Sequence, residues 1–299
     1  MRRVNPLPHR AQAPDHYENF PVASWLCPPR LRPPIAAIYG FARTADDIAD
    51  EGDAPAETRL LDLATFRQDL HAVAAGRAPS PRWPDVFGPL AAQIKCWKLP
   101  IALLEDLLDA FVQDTEKSRV AATYADRAEL VDYCRRSANP VGRLLLHLYG
   151  ITDADSLVRS DAVCTGLQLA NFWQDLSVDL PRGRHYLTDA DLARFGIDRA
   201  TLIAGHDTTA TRALVADNIA WARACLLQGA PLALRIPGRA GWELRLVVQG
   251  GLRILDRIAA LDHATLARRP TLEPADVLTM VWRALRMRPA SDGTIPAKT

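Results

Sequence analysis

The chain has 299 residues, of which 48% are apolar and 24% charged. That is enough for one large folded domain or two ordinary ones, and too apolar for a disordered chain. Lys and Arg total 36 against 35 Asp and Glu, so the net charge of +1 gives no global field that would draw nucleic acid.

Residues 1–14 and 289–299 read as loose tails around a single domain spanning 15–288. Within it helical periodicity dominates and strand signals are nearly absent, so the expected class is all-α, with roughly ten helices. Pro33 and Pro34 open a helix that runs to about Asp50 and ends at Gly52. A second covers about 56–75 and ends at Gly76. A proline-rich loop with Pro79, Pro81 and Pro84 follows, and Pro100 opens the next helix. Residues 126–149 look helical but contain Pro140, which should kink or break them. A long helix is expected over about 155–180, stopping before Pro181. Short helices near 188–204 precede longer ones at about 208–228, 239–263 and 273–287.

Five scattered cysteines (Cys27, Cys96, Cys134, Cys164 and Cys225) show no Cys-x-x-Cys spacing. They suggest neither a zinc site nor a disulfide framework, and a reducing cytoplasm is the simplest setting. No run approaches ~20 apolar residues, so no spanning helix is expected. A peripheral contact with the inner face of a membrane is compatible with this.

Two stretches carry chemistry. In YGFARTADDIADE, residues 39–51, a helix turning about 100° per residue places Tyr39, Arg43 and Asp50 within about 60° of Asp46. Ile38, Phe41 and Ile48 lie off that arc, as do Asp47 and Glu51, which read as solvated or supporting groups. In QLANFWQDLSVD, residues 168–179, Gln168, Asn171, Asp175 and Asp179 share roughly 80° of arc. Apolar residues cover most of the remaining circumference, so this helix should be buried. Buried carboxylates are costly unless paired or bound to metal. Mg²⁺ favours a few carboxylate oxygens completed by waters and substrate phosphates, which two facing Asp-x-x-x-Asp helices can supply. Arg182, Arg184 and Tyr186 follow the second motif directly. One such motif alone is usually a solvated helix face; the pair is much more specific.

These residues resemble the squalene/phytoene synthase family over about residues 15–288. The aromatic–Arg lead-in Tyr39 and Arg43, the pair Asp46 and Asp50, and the Gln168, Asn171, Asp175, Asp179 series match its motifs, followed by Arg184 and Tyr186. The resemblance implies a helical isoprenoid-synthase domain around a central cavity. It also implies Mg²⁺ held by Asp46, Asp50, Asp175 and Asp179 with Asn171 assisting, and Tyr39, Arg43, Gln168, Arg184 and Tyr186 on the substrate side. Two departures favour the hydroxysqualene-forming branch. Gln174 stands where many relatives have Arg, and YCRRSANPVG, residues 133–142, has Arg135 and Arg136 where an aromatic is expected. That branch implies presqualene diphosphate as substrate, water capture of a carbocation, and no NADPH. It also implies functional coupling to a presqualene diphosphate synthase and a hydroxysqualene reductase. The alternatives are a presqualene diphosphate, squalene or phytoene synthase, or a non-catalytic assembly protein on the same fold. Candidate wall residues are Phe20, Phe41, Leu145 and Phe172; His16 and Asn19 lie where relatives have early substrate contacts. Trp221, Trp242 and Trp282 read as packing, and Arg253 and Arg257 as either phosphate ligands or partners of nearby acids such as Asp256 and Asp262.

Overall fold

The computed structural model describes residues 27–288. The expected tails 1–14 and 289–299, the start of the domain, and His16, Asn19 and Phe20 lie outside the described residues.

Among the described residues there are helices and no strand. In chain order they are α1 (Arg32–Asp50), α2 (Ala56–Ala74), α3 (Pro84–Trp97), α4 (Ile101–Arg119), α5 (Arg127–Ser137), α6 (Asn139–Leu148) and α7 (Ala154–Gln174). Then come α8 (Leu176–Asp179), α9 (Asp189–Phe195), α10 (Arg199–Ile203), α11 (Thr209–Gly229), α12 (Leu232–Arg235), α13 (Gly238–Ala260) and α14 (Pro274–Arg286).

Where the structure departs from the sequence reading, the reasons are physical. Helix α3 is not among the expected helices and begins at the last proline of the expected loop: Pro84 sits in its first turn, where a missing N–H costs nothing, and Phe87 and Leu90 are fully buried. Their burial outweighs Pro89 inside the helix. Pro140 breaks the 126–149 segment at Ala138 and stands in the first turn of α6. The long helix expected to 180 ends at Gln174; Asp175 caps it and Asp179 lies on the short α8.

Two large apolar clusters hold the helices together. In one, Phe41 of α1, Phe66 of α2 and Phe87 of α3 pack ring on ring, with Phe66 to Phe87 centroids 4.7 Å apart. The other surrounds α7, whose Leu169, Phe172 and Trp173 are buried. Helix α4 serves both, giving Leu104 and Leu108 to the first and Ala110 to the second. Helices α7 and α11 run antiparallel at close range. A Cβ on Gly229 would stand 2.5 Å from the Arg159 carbonyl, and one on Gly166 would stand 2.8 Å from the Leu226 backbone nitrogen. Glycine is required there because a side chain would have to displace a neighbouring backbone.

Candidate active site

Helix α1 presents Asp46 and Asp50 one turn apart, on the side away from buried Ala37, Ile38, Phe41 and Ala45. The C-terminal end of α7 presents Asn171 and Asp175, and α8 presents Asp179. The backbone stays close to helical through the break, because the Val178 and Asp179 amides each donate to the Asp175 carbonyl at 2.8 Å. One acid of each pair, Asp50 and Asp179, meets at Arg184. Arg184 lies between them: its guanidinium pairs with Asp50 and stands 3.8 Å from Asp179. Gly183 adopts positive φ immediately before it, turning the chain back after Arg182.

Charge sets the character of this site. Burial pushes the Asp46 carboxyl up to about 6, with Asp50 adding to the shift and Arg43 opposing it. Burial pushes Asp179 up to about 7 against the pull of Arg184, while Asp175 and Asp50 raise it further. Burial disfavours the Arg184 charge, but Asp50, Tyr186 and Asp179 outweigh that and hold it more firmly protonated than usual.

Other predicted residues are placed more loosely. Arg43 turns toward Asp47 at 2.7 Å and reaches Asp46 at only 3.3 Å, so Asp47 is a direct partner of the site arginine and not a free surface acid. Tyr39 is half-buried two turns before Asp46, and Gln168 half-buried one turn before Asn171. Asn171 donates to Asp175 at 3.3 Å. Tyr186 stacks on Phe172 with centroids 3.7 Å apart. Phe41, expected in a cavity wall, instead fills the core between Phe66 and Phe87. Arg253 and Arg257 resolve toward an acid not foreseen, Asp276, at 2.6 and 2.8 Å.

Several groups at the site escaped the sequence reading. Asp114 of α4 accepts from the Tyr133 hydroxyl at 2.5 Å. Burial drives its carboxyl up to about 7, although the Tyr133 hydrogen bond and Arg184 both lower it. Its signal was present: Asp114 lies seven residues after buried Leu107, on the apolar stripe of α4, where an acid needs a reason. Tyr124, Tyr133 and Tyr186 form an aromatic group beside it. A small recess of about 10 Å³, room for one water, is lined by Asp114, Lys117, Tyr124, Arg184 and Tyr186 among others. Arg269 holds Asp175 at 2.5 Å from 94 residues away, a pairing without local signal. Gln174 donates to the Pro270 carbonyl at 2.8 Å, fastening the same loop to the end of α7.

Among the described residues no group of three or more His, Cys, Asp or Glu side chains is gathered closely enough to hold a metal ion. The donor chemistry nonetheless fits a hard divalent cation. Asp46 and Asp50 on one side and Asn171, Asp175 and Asp179 on the other are oxygen donors of the kind such an ion takes, and burial favours the neutral form of Asp46 and Asp179 unless a positive charge joins them. Arg184 and Arg269 supply the positive charge between and beside them.

The comparisons agree with this architecture. The family model described as Squalene/phytoene synthase matches residues 13–276. A hydroxysqualene synthase of Sinorhizobium fredii is 31% identical over 90% of this chain and 88% of its own length. One from Rhodopseudomonas palustris is 34% identical over the same shares. Among solved structures, the squalene synthase HpnC of Alicyclobacillus acidocaldarius is 36% identical, with a TM-score of 0.74 over 83% of this chain and 90% of that one. Matched by the family model over most of its length and by relatives 31% and 34% identical over nine-tenths of it, the chain belongs to the squalene/phytoene synthase family.

Proposed function

We propose that the protein is a hydroxysqualene synthase. It would ionise presqualene diphosphate and add water to the rearranged carbocation, releasing hydroxysqualene and diphosphate. The observation that carries this reading is the match, across nine-tenths of the chain, to two relatives bearing that name.

In this reading Asp46, Asp50, Asp175 and Asp179, with Asn171, would hold Mg²⁺, which would supply positive charge to offset that of a departing diphosphate. Arg184 contributes fixed positive charge at the same point, positioned before reaction and partly shielded from water. The carbon–oxygen bond to diphosphate breaks, the cyclopropane opens, and a water oxygen bonds to the resulting allylic cation and loses a proton. Buried Phe172, Tyr133 and Tyr186 give the cation aromatic faces. The one-water recess beside Arg184 and Asp114 suits storage of the nucleophile. Arg135 and Arg136 turn to Asp132, so no aromatic side chain enters from those two positions. NADPH has no part in this sequence. A presqualene diphosphate synthase would supply the substrate, and a hydroxysqualene reductase would consume the product. The five cysteines are all free, which suits a cytoplasmic setting.

The test is incubation with presqualene diphosphate and Mg²⁺, with and without NADPH, and product identification by mass spectrometry. Hydroxysqualene in both samples is the expected result. Squalene formed only with NADPH, or consumption of farnesyl diphosphate supplied alone, would replace water capture by reduction or head-to-head coupling. Asp50→Ala and Asp175→Ala should each abolish turnover with the fold retained; full activity in both would remove these acids from the chemistry.

A further inference from the structure

Helix α14 is mounted with its polar side inward. Asp276 in its first turn is buried and takes Arg253 at 2.6 Å and Arg257 at 2.8 Å; further along, Arg283 reaches Asp256 of α13 at 2.6 Å. Ion pairs and Ala284 thus fasten α14 to α13. Val277, Leu278, Val281, Trp282 and Leu285 point the other way and are exposed, Leu278 by 76% and Trp282 by 54%. On a helix these five fall within about 140° of arc. A helix whose apolar face is turned from its own protein marks an interaction surface, since the hydrophobic effect favours the opposite mounting.

The contacts of α14 on α13 gather over Gly250–Arg257: Asp276 with Arg253 and Arg257, Met280 beside Gly250, and Arg283 with Asp256. Trp242, nearer the start of α13, is 39% exposed. Trp242 and Trp282, expected from sequence to be packing, are therefore both at the surface.

Beyond Asp276 the charge on α14 has one sign: no acid lies between Val277 and Arg288, and while Arg283 is held by Asp256, Arg286 and Arg288 are exposed. Arg286 lies over the Trp282 ring at 3.7 Å, and Arg245 over Trp242 at 4.3 Å. Leucine, valine and tryptophan framed by arginine are the composition of a helix that lies in a lipid headgroup layer, with rings and guanidinium groups at the interface. The family match ends at residue 276, so this face lies beyond it. No helix among the described residues is long and apolar enough to cross a membrane.

We propose that the outer face of α14 docks the protein on an anionic phospholipid surface. The full-length protein should co-sediment with vesicles of phosphatidylcholine containing about 30% phosphatidylglycerol, and about tenfold or more weakly with phosphatidylcholine alone or in high salt. Leu278→Glu with Trp282→Glu should lower vesicle binding by at least about tenfold, with Tm and turnover of soluble substrate unchanged. A milder Leu278→Ser variant should give an intermediate loss, which keeps the test valid if the double variant folds poorly. Failure of the unaltered protein to bind phosphatidylglycerol vesicles overturns the proposal, as does undiminished binding by both variants. A dimer by light scattering that the double variant converts to monomer would assign the face to a second copy. A drop in Tm without vesicle binding would assign it to the chain's own first 26 residues.

Discussion

Arg184 stands between one acid of each motif, Asp50 and Asp179. It pairs with Asp50, reaches Asp179 at 3.8 Å and helps to oppose the upward shift of Asp114. Its removal therefore does two things at once: it takes fixed positive charge from the point where diphosphate would leave, and it leaves buried acids facing each other. Arg184→Gln keeps the side chain's reach but not its charge. Its kcat should fall on the order of 100-fold, with little change in circular dichroism. Steady-state assay of the purified variant decides this, and a change confined to KM would make Arg184 a binding group only. Lysine at this position should recover only part of the rate, because a point charge cannot reach both Asp50 and Asp179 as a planar fork does.

The helices carry the site by approaching one another closely, and α7 against α11 is the tightest case. A methyl group at Gly229 would press on the Arg159 carbonyl at 2.5 Å and the Val163 nitrogen at 2.7 Å. Backbone cannot move aside as a side chain can, so Gly229→Ala should cost about 3 kcal/mol. Gly250→Ala is the contrast: its nearest neighbour is the Met280 methyl at 3.4 Å, and the gain in helix propensity offsets the contact. Thermal melts of the two variants should show a clear loss for the first and near-neutrality for the second; equal melting would remove the close approach as a constraint. Much of this level was legible in the sequence. Apolar spacing and proline placement located α1, α2, α4, α11 and α13 closely, and the Asp-x-x-x-Asp patterns contain the two acids, Asp50 and Asp179, that meet at Arg184. The remainder depended on contacts between distant segments. Local propensity opposed α3, which exists because Phe87 and Leu90 meet Phe66 and the first cluster. Nothing near Asp175 announces Arg269, and nothing in α14 announces which side faces α13 until Asp276 finds Arg253. Asp114 was the readable omission, an acid on an otherwise apolar stripe.

At the scale of the whole molecule, buried acids make stability depend on pH in two opposed directions. Asp46, Asp114 and Asp179 have carboxyls raised to about 6, 7 and 7, well above unfolded values near 4. Between pH ~4 and ~7 the native state therefore binds more protons than the unfolded chain. Stability from these three groups is fully present below pH ~4 and is lost as pH rises through their folded values. Asp276 acts the other way. Despite the cost of its burial, backbone and arginine hydrogen bonds lower it to about 2, so its contribution is present above pH ~4 and is lost as pH falls toward 2. The chelator-treated protein should accordingly melt highest near pH 4–5 and lose stability toward neutrality, the reverse of the common acid-denaturation limb. Asp114→Asn retains a neutral acceptor for Tyr133 and cannot ionise, so it should flatten part of the descent and raise Tm at pH 8. Mg²⁺ with inorganic diphosphate should flatten it further, because a ligand that binds the ionised acids stabilises the native state most where they are charged. Differential scanning calorimetry from pH 3 to 8, with chelator and then with Mg²⁺ and diphosphate, measures both effects. A chelated profile that rises steadily from pH 4 to 7 would mean that solvent reaches these carboxylates freely, and the charge imbalance assigned to the site would be absent.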